Sequence, residues 1–169
     1  MNCVFQNEIA NLYFCNQEEY ERIKKDFTEV AYLLCAKNPF HKDIVGYDGN
    51  CPKDHPEYLY AYRPDNHILA LNMVDANDKK YFSDKMISAG IDFIGNELNC
   101  GRNVVVVCNK AESRSPTMCL IYLISIGAFD KSISHNELVK KFKEVAPEWN
   151  PRNGILEYAL DYFCKWRKG

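Results

Sequence analysis

The sequence lacks the residue patterns of a metal centre and the charge of a nucleic-acid-binding protein. The eight cysteines form no CxxC pair and the four histidines form no HxxxH pair, which gives no support for a zinc ribbon or a thioredoxin-like redox site. We therefore expect no metal and no other cofactor. The formal net charge is −2 and the pI about 6.1, so there is no basic excess and nucleic acid is not an expected partner.

Long apolar runs are also absent. The longest, over residues 118–129, is interrupted by Ser125 and Gly127. It is shorter than the roughly 20 residues that a membrane-spanning helix needs. The first residues lack the basic start and apolar run of a secretory signal. We therefore expect a soluble, cytoplasmic protein that does not associate with membranes.

The composition that is present is that of a globular protein. Hydrophobic residues make up 47% and charged residues 26%, a balance that does not favour disorder. The length predicts one domain over residues 1–169, with enough chain to bury a substantial core. Cys35 and Cys119 lie in apolar runs, where we expect buried thiols in a reducing compartment.

Apolar runs that suit buried strands alternate with segments of helical patterning. Strands are predicted over residues 9–15, 30–36, 67–74 and 104–107. Helices are predicted over residues 17–26, 82–99, 116–126, 135–145 and 153–166. The proline-rich and glycine-rich residues 37–66 are predicted to form a long loop. The alternation indicates an α/β fold, a three-layer sandwich with a central, largely parallel sheet flanked by helices.

One strand leads directly into a segment with the properties of an anion site. Four valines precede Cys108, and ligands of open α/β sheets bind beyond the carboxyl ends of strands. Pro116 then suits the first turn of a helix. A loop curled over that helix start would present N–H groups to an anion, and the guanidinium of Arg114 would grip two phosphate oxygens. The same positive field favours a thiolate, so one site could bind a phosphate and attack it.

These residues resemble a known signature. The C-x5-R motif from Cys108 to Arg114, followed by Ser115, resembles that of the cysteine-based protein tyrosine phosphatase superfamily. The run SRSPT after a valine strand looks most like the dual-specificity branch. The phrases LNMVDANDKKYF, IDFI and VVVVCNKAESRSPT are similar to small phosphatase-like proteins of bacteria and phages. The resemblance extends over residues 67–146 and implies the fold of that superfamily.

The resemblance also implies an activity and roles for individual residues. The chain would hydrolyse phosphomonoesters, on phosphotyrosine or phosphoserine/threonine proteins or on a small phosphorylated substrate, through a phosphocysteine intermediate. Cys108 would be the nucleophile, Arg114 would bind the phosphoryl group, and Ser115 would donate a hydrogen bond to the sulfur. Backbone amides would hold the phosphate oxygens, in the segment Asn109, Lys110, Ala111, Glu112, Ser113 and Arg114.

A general acid is expected on a loop before the helix that precedes the cysteine strand, where the family has an aspartate. Two aspartates of this sequence fit that position, Asp75 and Asp78. Asp75 ends a predicted strand and fits better, but both are candidates.

Two positions depart from the family pattern. Val107 stands where the family has histidine, and Ala111 stands where it has glycine. Loss of the histidine could weaken the thiolate, and alanine resists backbone conformations that glycine permits. The alternative function is therefore a pseudophosphatase, an anion-binding module with little activity. A rhodanese-like sulfurtransferase also uses a cysteine loop, but it fits the SRSPT run less well.

Other residues near the predicted site have open roles. His41, Lys42 and Tyr47 could contact the substrate, with an ordinary surface loop as the alternative. We expect Glu112 to point to solvent, since an inward carboxylate would repel a phosphate. Lys110 could bind an anionic substrate or be solvated.

Overall fold

The computed structural model describes residues 1–25 and 28–169, and its centre is a mixed sheet of six strands. The strands are β1 Asn2–Gln6, β2 Asn11–Asn16, β3 Val30–Leu34, β4 Tyr60–Arg63, β5 Ile68–Leu71 and β6 Asn103–Cys108. Their order across the sheet is β1-β2-β6-β3-β5-β4. The inner strands β2, β6, β3 and β5 pair in parallel, whereas β1 and β4 pair antiparallel at the two edges. The predicted three-layer α/β fold with a largely parallel sheet is confirmed.

The helices pack on both faces of this sheet. They are α1 Gln17–Ile23, α2 Lys42–Val45, α3 Asp84–Asn99, α4 Arg114–Ser125, α5 His135–Val145 and α6 Asn153–Lys168. Most of the predicted helices are found close to their expected bounds, although the predicted end of the first, Asp26, lies outside the described residues. Within the part of the chain that the structure describes, no helix is both long and apolar enough to cross a membrane.

Strand β6 is buried on both faces, as its run of valines predicts. Val104, Val106 and Cys108 belong to the larger core, which α3, α4, α5 and α6 cover. Val105 and Val107 face the opposite core, which contains Tyr20 of α1 and Phe40. Because side chains alternate along a strand, Cys108 and Val107 point into different layers. The valine that replaces the family's histidine is therefore a fully buried core residue, with 0% exposure.

The prediction of a continuous loop over residues 37–66 is wrong. This segment contains a π-helical turn at Lys37–His41, helix α2, strand β4 and a 3-10 turn at Pro64–Asn66. Strand β4 has only four residues and gains its hydrogen bonds from β5, so its own sequence carries little signal. Strand β1, which is mostly exposed, is likewise missing from the predicted strands, because its apolar run over residues 3–5 is shorter than the runs that indicate a strand.

Candidate active site

Strand β6 places Cys108 at the carboxyl edge of the sheet, directly before the turn into α4. The side chain is buried, with 2% exposure, and Sγ lies 3.2 Å from Oγ of Ser115 in the first turn of α4. Helix α4 begins at Arg114, slightly earlier than the sequence predicts, because Ser113 takes the N-cap position. The cysteine sulfur therefore lies beside a helix N-terminus and within hydrogen-bond reach of a hydroxyl.

The loop between Cys108 and Arg114 has free backbone donors. In residues 1–25 and 28–169, the N–H groups of residues 109–113 donate no hydrogen bond to a protein acceptor. Ala111 has φ of +61°, so the loop takes a left-handed residue at the position where glycine was expected from the family. Successive N–H groups near a helix start form a concavity that suits an anion.

Arg114 is held over this loop by two neighbours. Its Nη1 donates to the backbone oxygen of Met73 at 3.1 Å, and its Nη2 donates to Oδ1 of Asn109 at 2.6 Å. Asn109 is fixed in turn, because its Nδ2 donates to Oε1 of Gln17 and to the backbone oxygen of Asn38. The Nε of Arg114 is buried and has no hydrogen-bond partner among the described residues. Such an unpaired donor costs free energy that a bound anion would recover.

Asp75 and Asp78 occupy different environments. Oδ1 of Asp75 accepts a hydrogen bond from Oγ of Ser113 at 2.8 Å, and its Oδ2 lies 3.7 Å from Nε of Arg152. Asp78 is exposed and caps the 3-10 turn Lys79–Tyr81. The hydrogen bond from the backbone of Lys80 lowers the pKa of Asp78, which favours its carboxylate over the acid form. Of the two candidates for the general acid, Asp75 contacts the loop between Cys108 and Arg114, whereas the described contacts of Asp78 lie in its own turn.

A cavity of about 500 Å³ lies above the cysteine. Its lining is Asp75, Cys108, Asn109, Lys110, Glu112, Ser113, Arg114, Asn150, Pro151 and Arg152. Seven of these positions belong to the residues proposed from the sequence, whereas Ala111, Ser115 and Asp78 do not line the cavity. Lys110 and Glu112 are both exposed and both line the cavity.

The chain is similar to known phosphatases both in sequence and in fold. No family model matches the chain. It is 26% identical over 140 residues to the human dual specificity protein phosphatase 16, a match covering 78% of this chain. The chain spans about a fifth of the length of that relative, since the match covers 19% of it.

Solved structures resemble nearly the whole chain. A leucine rich repeat and phosphatase domain containing protein from Entamoeba histolytica has a TM-score of 0.60 at 14% identity, covering 99% of this chain and 94% of the other. The Yvh1 phosphatase domain from Chaetomium thermophilum has a TM-score of 0.59 at 17% identity, covering 97% and 95%. DUSP15 has a TM-score of 0.58 at 15% identity, covering 98% and 92%.

The chain has the fold of the cysteine-based protein tyrosine phosphatases. Together with the sequence similarity to a dual-specificity phosphatase, this confirms the resemblance that the C-x5-R segment suggested. In the described part of this phosphatase fold, no group of three or more histidine, cysteine or acidic residues lies close enough together to hold a metal ion.

The segment Asn150–Arg152, before α6, is the part of the site that sequence reasoning missed. The N–H of Asn150 donates to the backbone oxygen of Glu112 at 2.8 Å, and the N–H of Arg152 donates to Oγ of Ser113 at 3.0 Å. Buried Trp149 anchors the segment, since its Nε1 donates to Oγ1 of Thr117 in α4. A tryptophan and a proline before a predicted helix were the only sequence signals here, and neither specifies a partner.

The residues proposed for substrate contact in the segment after β3 lie elsewhere in the phosphatase fold. His41, Lys42 and Tyr47 do not line the cavity above Cys108. His41 is fully buried, and its ring nitrogens contact the hydroxyl of Tyr47 and the backbone oxygen of Glu57 at 3.0 and 2.7 Å. Burial lowers the pKa of His41, which favours a neutral ring that holds this segment together. The alternative, an ordinary surface loop, fits these contacts better than a substrate-binding role, although His41 itself is buried.

Proposed function

We propose that the chain is a cysteine-dependent phosphatase that hydrolyses phosphomonoesters through a phosphocysteine intermediate. One observation carries the proposal: Cys108 and Arg114 line the same cavity, and the buried Nε of Arg114 has no hydrogen-bond partner among the described residues. The backbone N–H groups of residues 109–113, which lack protein acceptors in the described part of the chain, support the same conclusion. Together they provide donors for a tetrahedral oxyanion.

In the first step, the substrate phosphate binds against the loop and the guanidinium of Arg114. The thiolate of Cys108 attacks phosphorus, the S–P bond forms, and the bond from phosphorus to the ester oxygen breaks. The departing oxygen needs a proton, and Asp75 lines the cavity and contacts the loop from the position where a general acid is expected. Asp75 therefore acts as the general acid in this proposal.

In the second step, water attacks the phosphocysteine and releases inorganic phosphate. Asp75, now a carboxylate, accepts the proton of that water. The sulfur leaves as a thiolate, and Oγ of Ser115, 3.2 Å from Sγ, donates a hydrogen bond that stabilises the charge. The thiolate is then ready for another substrate.

The alternative of a pseudophosphatase depended on Val107 and Ala111. Ala111 adopts the left-handed conformation, which costs a non-glycine residue about 1–2 kcal/mol. With alanine at this position, Ser113 and Arg114 contact Asp75 and Met73 of the acid loop, residues 72–83 between β5 and α3. Val107 faces the opposite core, away from the cavity. Neither substitution removes a group that the two steps require, so hydrolysis is the better-supported function.

The substrates proposed from the sequence are phosphotyrosine and phosphoserine/threonine proteins or smaller phosphorylated molecules. The name of the human relative supports the protein class. The two catalytic steps need only a phosphomonoester group, and they are the same whether that group is attached to a protein or to a small molecule.

Hydrolysis of para-nitrophenyl phosphate tests the proposal. The wild type should release nitrophenol, Cys108→Ser should release none, and mass spectrometry of the quenched wild-type reaction should find phosphate on Cys108. Asp75→Asn should lower kcat by about 10²–10⁴-fold with a poorer leaving group, as loss of a general acid does. Asp78→Asn is the matched control, since asparagine preserves the cap of the 3-10 turn. Equal rates for the wild type and Cys108→Ser would contradict the proposal.

A further inference from the structure

The cavity above Cys108 is strongly polar. Of the ten residues that line it in the described part of the chain, none carries an aromatic ring and only Pro151 is apolar apart from the cysteine. Three of the ten are cations, Lys110, Arg114 and Arg152. A flat aromatic substrate would find little apolar surface here, whereas an anionic and hydroxylated one would find donors.

Arg152 is fixed at the rim by its backbone but not by its side chain. Its N–H donates to Oγ of Ser113, and the Asn150 N–H bond to Glu112 holds the preceding turn. The side chain is 58% exposed, and among the described residues its one ion pair is the 3.7 Å contact from Nε to Asp75. Its terminal nitrogens have no protein acceptor in this part of the chain. They are therefore available to a ligand.

Lys110 is the second cation at the rim. It is exposed and takes part in no ion pair within residues 1–25 and 28–169. Two lining residues are acidic, Asp75 and Glu112, and Glu112 is exposed. Asp75 must carry a proton when it acts as an acid, and Arg152 then loses its anionic partner. During the first step the rim would thus carry two cations, Lys110 and Arg152, and one carboxylate, Glu112. Arg114 is not counted here, because it binds the scissile phosphate.

We propose that the preferred substrates are small phosphorylated metabolites with a second phosphate next to the scissile one. Lys110 and Arg152 bind that second phosphate and determine specificity, while Arg114 binds the first. This inference rests on the proposed function, since it uses the same cavity. The lack of an aromatic wall favours a sugar or polyol over a tyrosine side chain as the carrier of the phosphates.

The test compares myo-inositol 4,5-bisphosphate with myo-inositol 4-monophosphate, which differ only in the neighbouring phosphate. The wild type should show a kcat/KM about tenfold or more higher for the bisphosphate, the usual size of a charge-assisted contact. Lys110→Gln and Arg152→Gln should each reduce this ratio, and the double variant should bring it close to one. Lys141→Gln, an exposed lysine on α5, removes the same charge and should leave the ratio unchanged.

Several outcomes separate this inference from the proposed function. If para-nitrophenyl phosphate is hydrolysed but the wild type shows no preference for the bisphosphate, or the double variant keeps that preference, the inference is overturned and the proposed function stands. If no phosphate ester is hydrolysed, calorimetry measures the affinity of Cys108→Ser for each of the two inositol phosphates. About tenfold or more tighter binding of the bisphosphate would support the inference, and equal affinities would overturn it. A higher kcat/KM for a doubly phosphorylated peptide than for the bisphosphate would overturn the assignment to small molecules.

Discussion

The hydroxyl of Ser113 donates a hydrogen bond to Oδ1 of Asp75 across 2.8 Å, joining the cysteine loop to the loop of the proposed acid. The same Ser113 oxygen accepts the backbone N–H of Arg152 at 3.0 Å. Although Ser113 is the N-cap residue of α4, its side chain makes no capping bond. One hydroxyl therefore fixes the positions of three segments that are far apart in the sequence.

Ser113→Ala should weaken proton donation more than phosphate binding. Asp75 would lose the contact that orients its carboxyl, so kcat should fall about tenfold for alkyl phosphates, whose leaving groups need a proton, and less for para-nitrophenyl phosphate. The N–H of Arg152 would also lose its acceptor, which should reduce the free energy of unfolding by about 1–2 kcal/mol. Steady-state kinetics across leaving groups and urea denaturation measure both effects.

Ser132→Ala is the control for this change, because Ser132 lies in an exposed turn and its hydroxyl donates a hydrogen bond to Asp130 of the same turn. Ser113→Thr, which keeps the hydroxyl, should recover part of the lost rate. A loss of the same size for every leaving group would count against a positioning role for Ser113.

Ala111→Gly should relieve the strained position of the loop. The φ of +61° costs alanine about 1–2 kcal/mol, whereas glycine adopts it freely but loses more backbone entropy on folding. The two effects partly offset each other, so we expect a change in the free energy of unfolding within about 1 kcal/mol and an unchanged or higher kcat/KM. Ala111→Val should destabilise the fold, because a β-branched residue tolerates positive φ poorly. A large loss of activity in Ala111→Gly would show that the alanine side chain itself is needed.

The fold and the position of the loop between Cys108 and Arg114 could be predicted from the sequence because their signals are local. Four valines before Cys108 identify a strand buried on both faces, and the spacing to Arg114 identifies the loop. The choice between Asp75 and Asp78 was left open, since both lie in one short segment and they are separated only by tertiary contacts, those of Asp75 with Ser113 and Arg152. The position of Arg152 at the rim of the cavity depends on how α6 packs against the rest of the fold, and no local sequence pattern specifies that packing.

The edges of the sheet were predicted less well for a similar reason. Strand β4 gains its hydrogen bonds by pairing with β5, and the residues before it include a buried histidine, His41, that contacts a backbone oxygen rather than a substrate. The proline and glycine content of residues 37–66 correctly predicted turns, but it gave no indication of helix α2 and strand β4 between those turns. Tertiary pairing therefore decided the structure of this segment more than its composition did.

The reactivity of the cysteines should divide according to burial. Burial raises the pKa of Cys15 to about 12 and also raises the pKa of Cys35 and Cys119. A raised pKa lowers the thiolate fraction, to about one in 10⁴ at pH 8 for a thiol with a pKa near 12. Iodoacetamide at pH 8 should therefore label exposed Cys3 and Cys100 and leave those three unmodified, as peptide mass spectrometry can measure. Rapid labelling of Cys35 in the folded chain would contradict this expectation.

A variant without the two exposed thiols, Cys3→Ser/Cys100→Ser, extends the same measurement to the site. Vanadate, a tetrahedral oxyanion, should slow the labelling of Cys108 because it would occupy the cavity that this residue lines. The half-buried Cys164, which contacts Nε2 of His135, is the internal control and should react at the same rate with and without vanadate. Equal protection of both cysteines would mean that vanadate acts on the whole protein rather than on the site.

Gly154→Ala should displace the loop that carries Asp75. Gly154 is buried in the first turn of α6, and a Cβ atom there would lie 2.4 Å from the backbone oxygen of Ala76 and 2.9 Å from the backbone nitrogen of Asp78. Both obstructing atoms belong to the backbone, so rotation of a side chain cannot relieve the clash. The acid loop or the start of α6 must move, at a cost of about 1–3 kcal/mol in the free energy of unfolding.

The displacement should also change catalysis in a specific way. A shift of about 1 Å in the proposed acid can cost on the order of 10²-fold in rate, so kcat for alkyl phosphates should fall more than kcat for para-nitrophenyl phosphate. Gly95→Ala is the matched control: Gly95 lies in α3, and its Cβ would lie 3.7 Å from the ring of Tyr122 in α4, an ordinary van der Waals contact. That change should stabilise the fold by about 0.5–1 kcal/mol and leave the rates unchanged. If Gly154→Ala kept wild-type rates for both leaving groups, the docking of α6 would not position Asp75, and the contact with Ser113 would be the better explanation of its position.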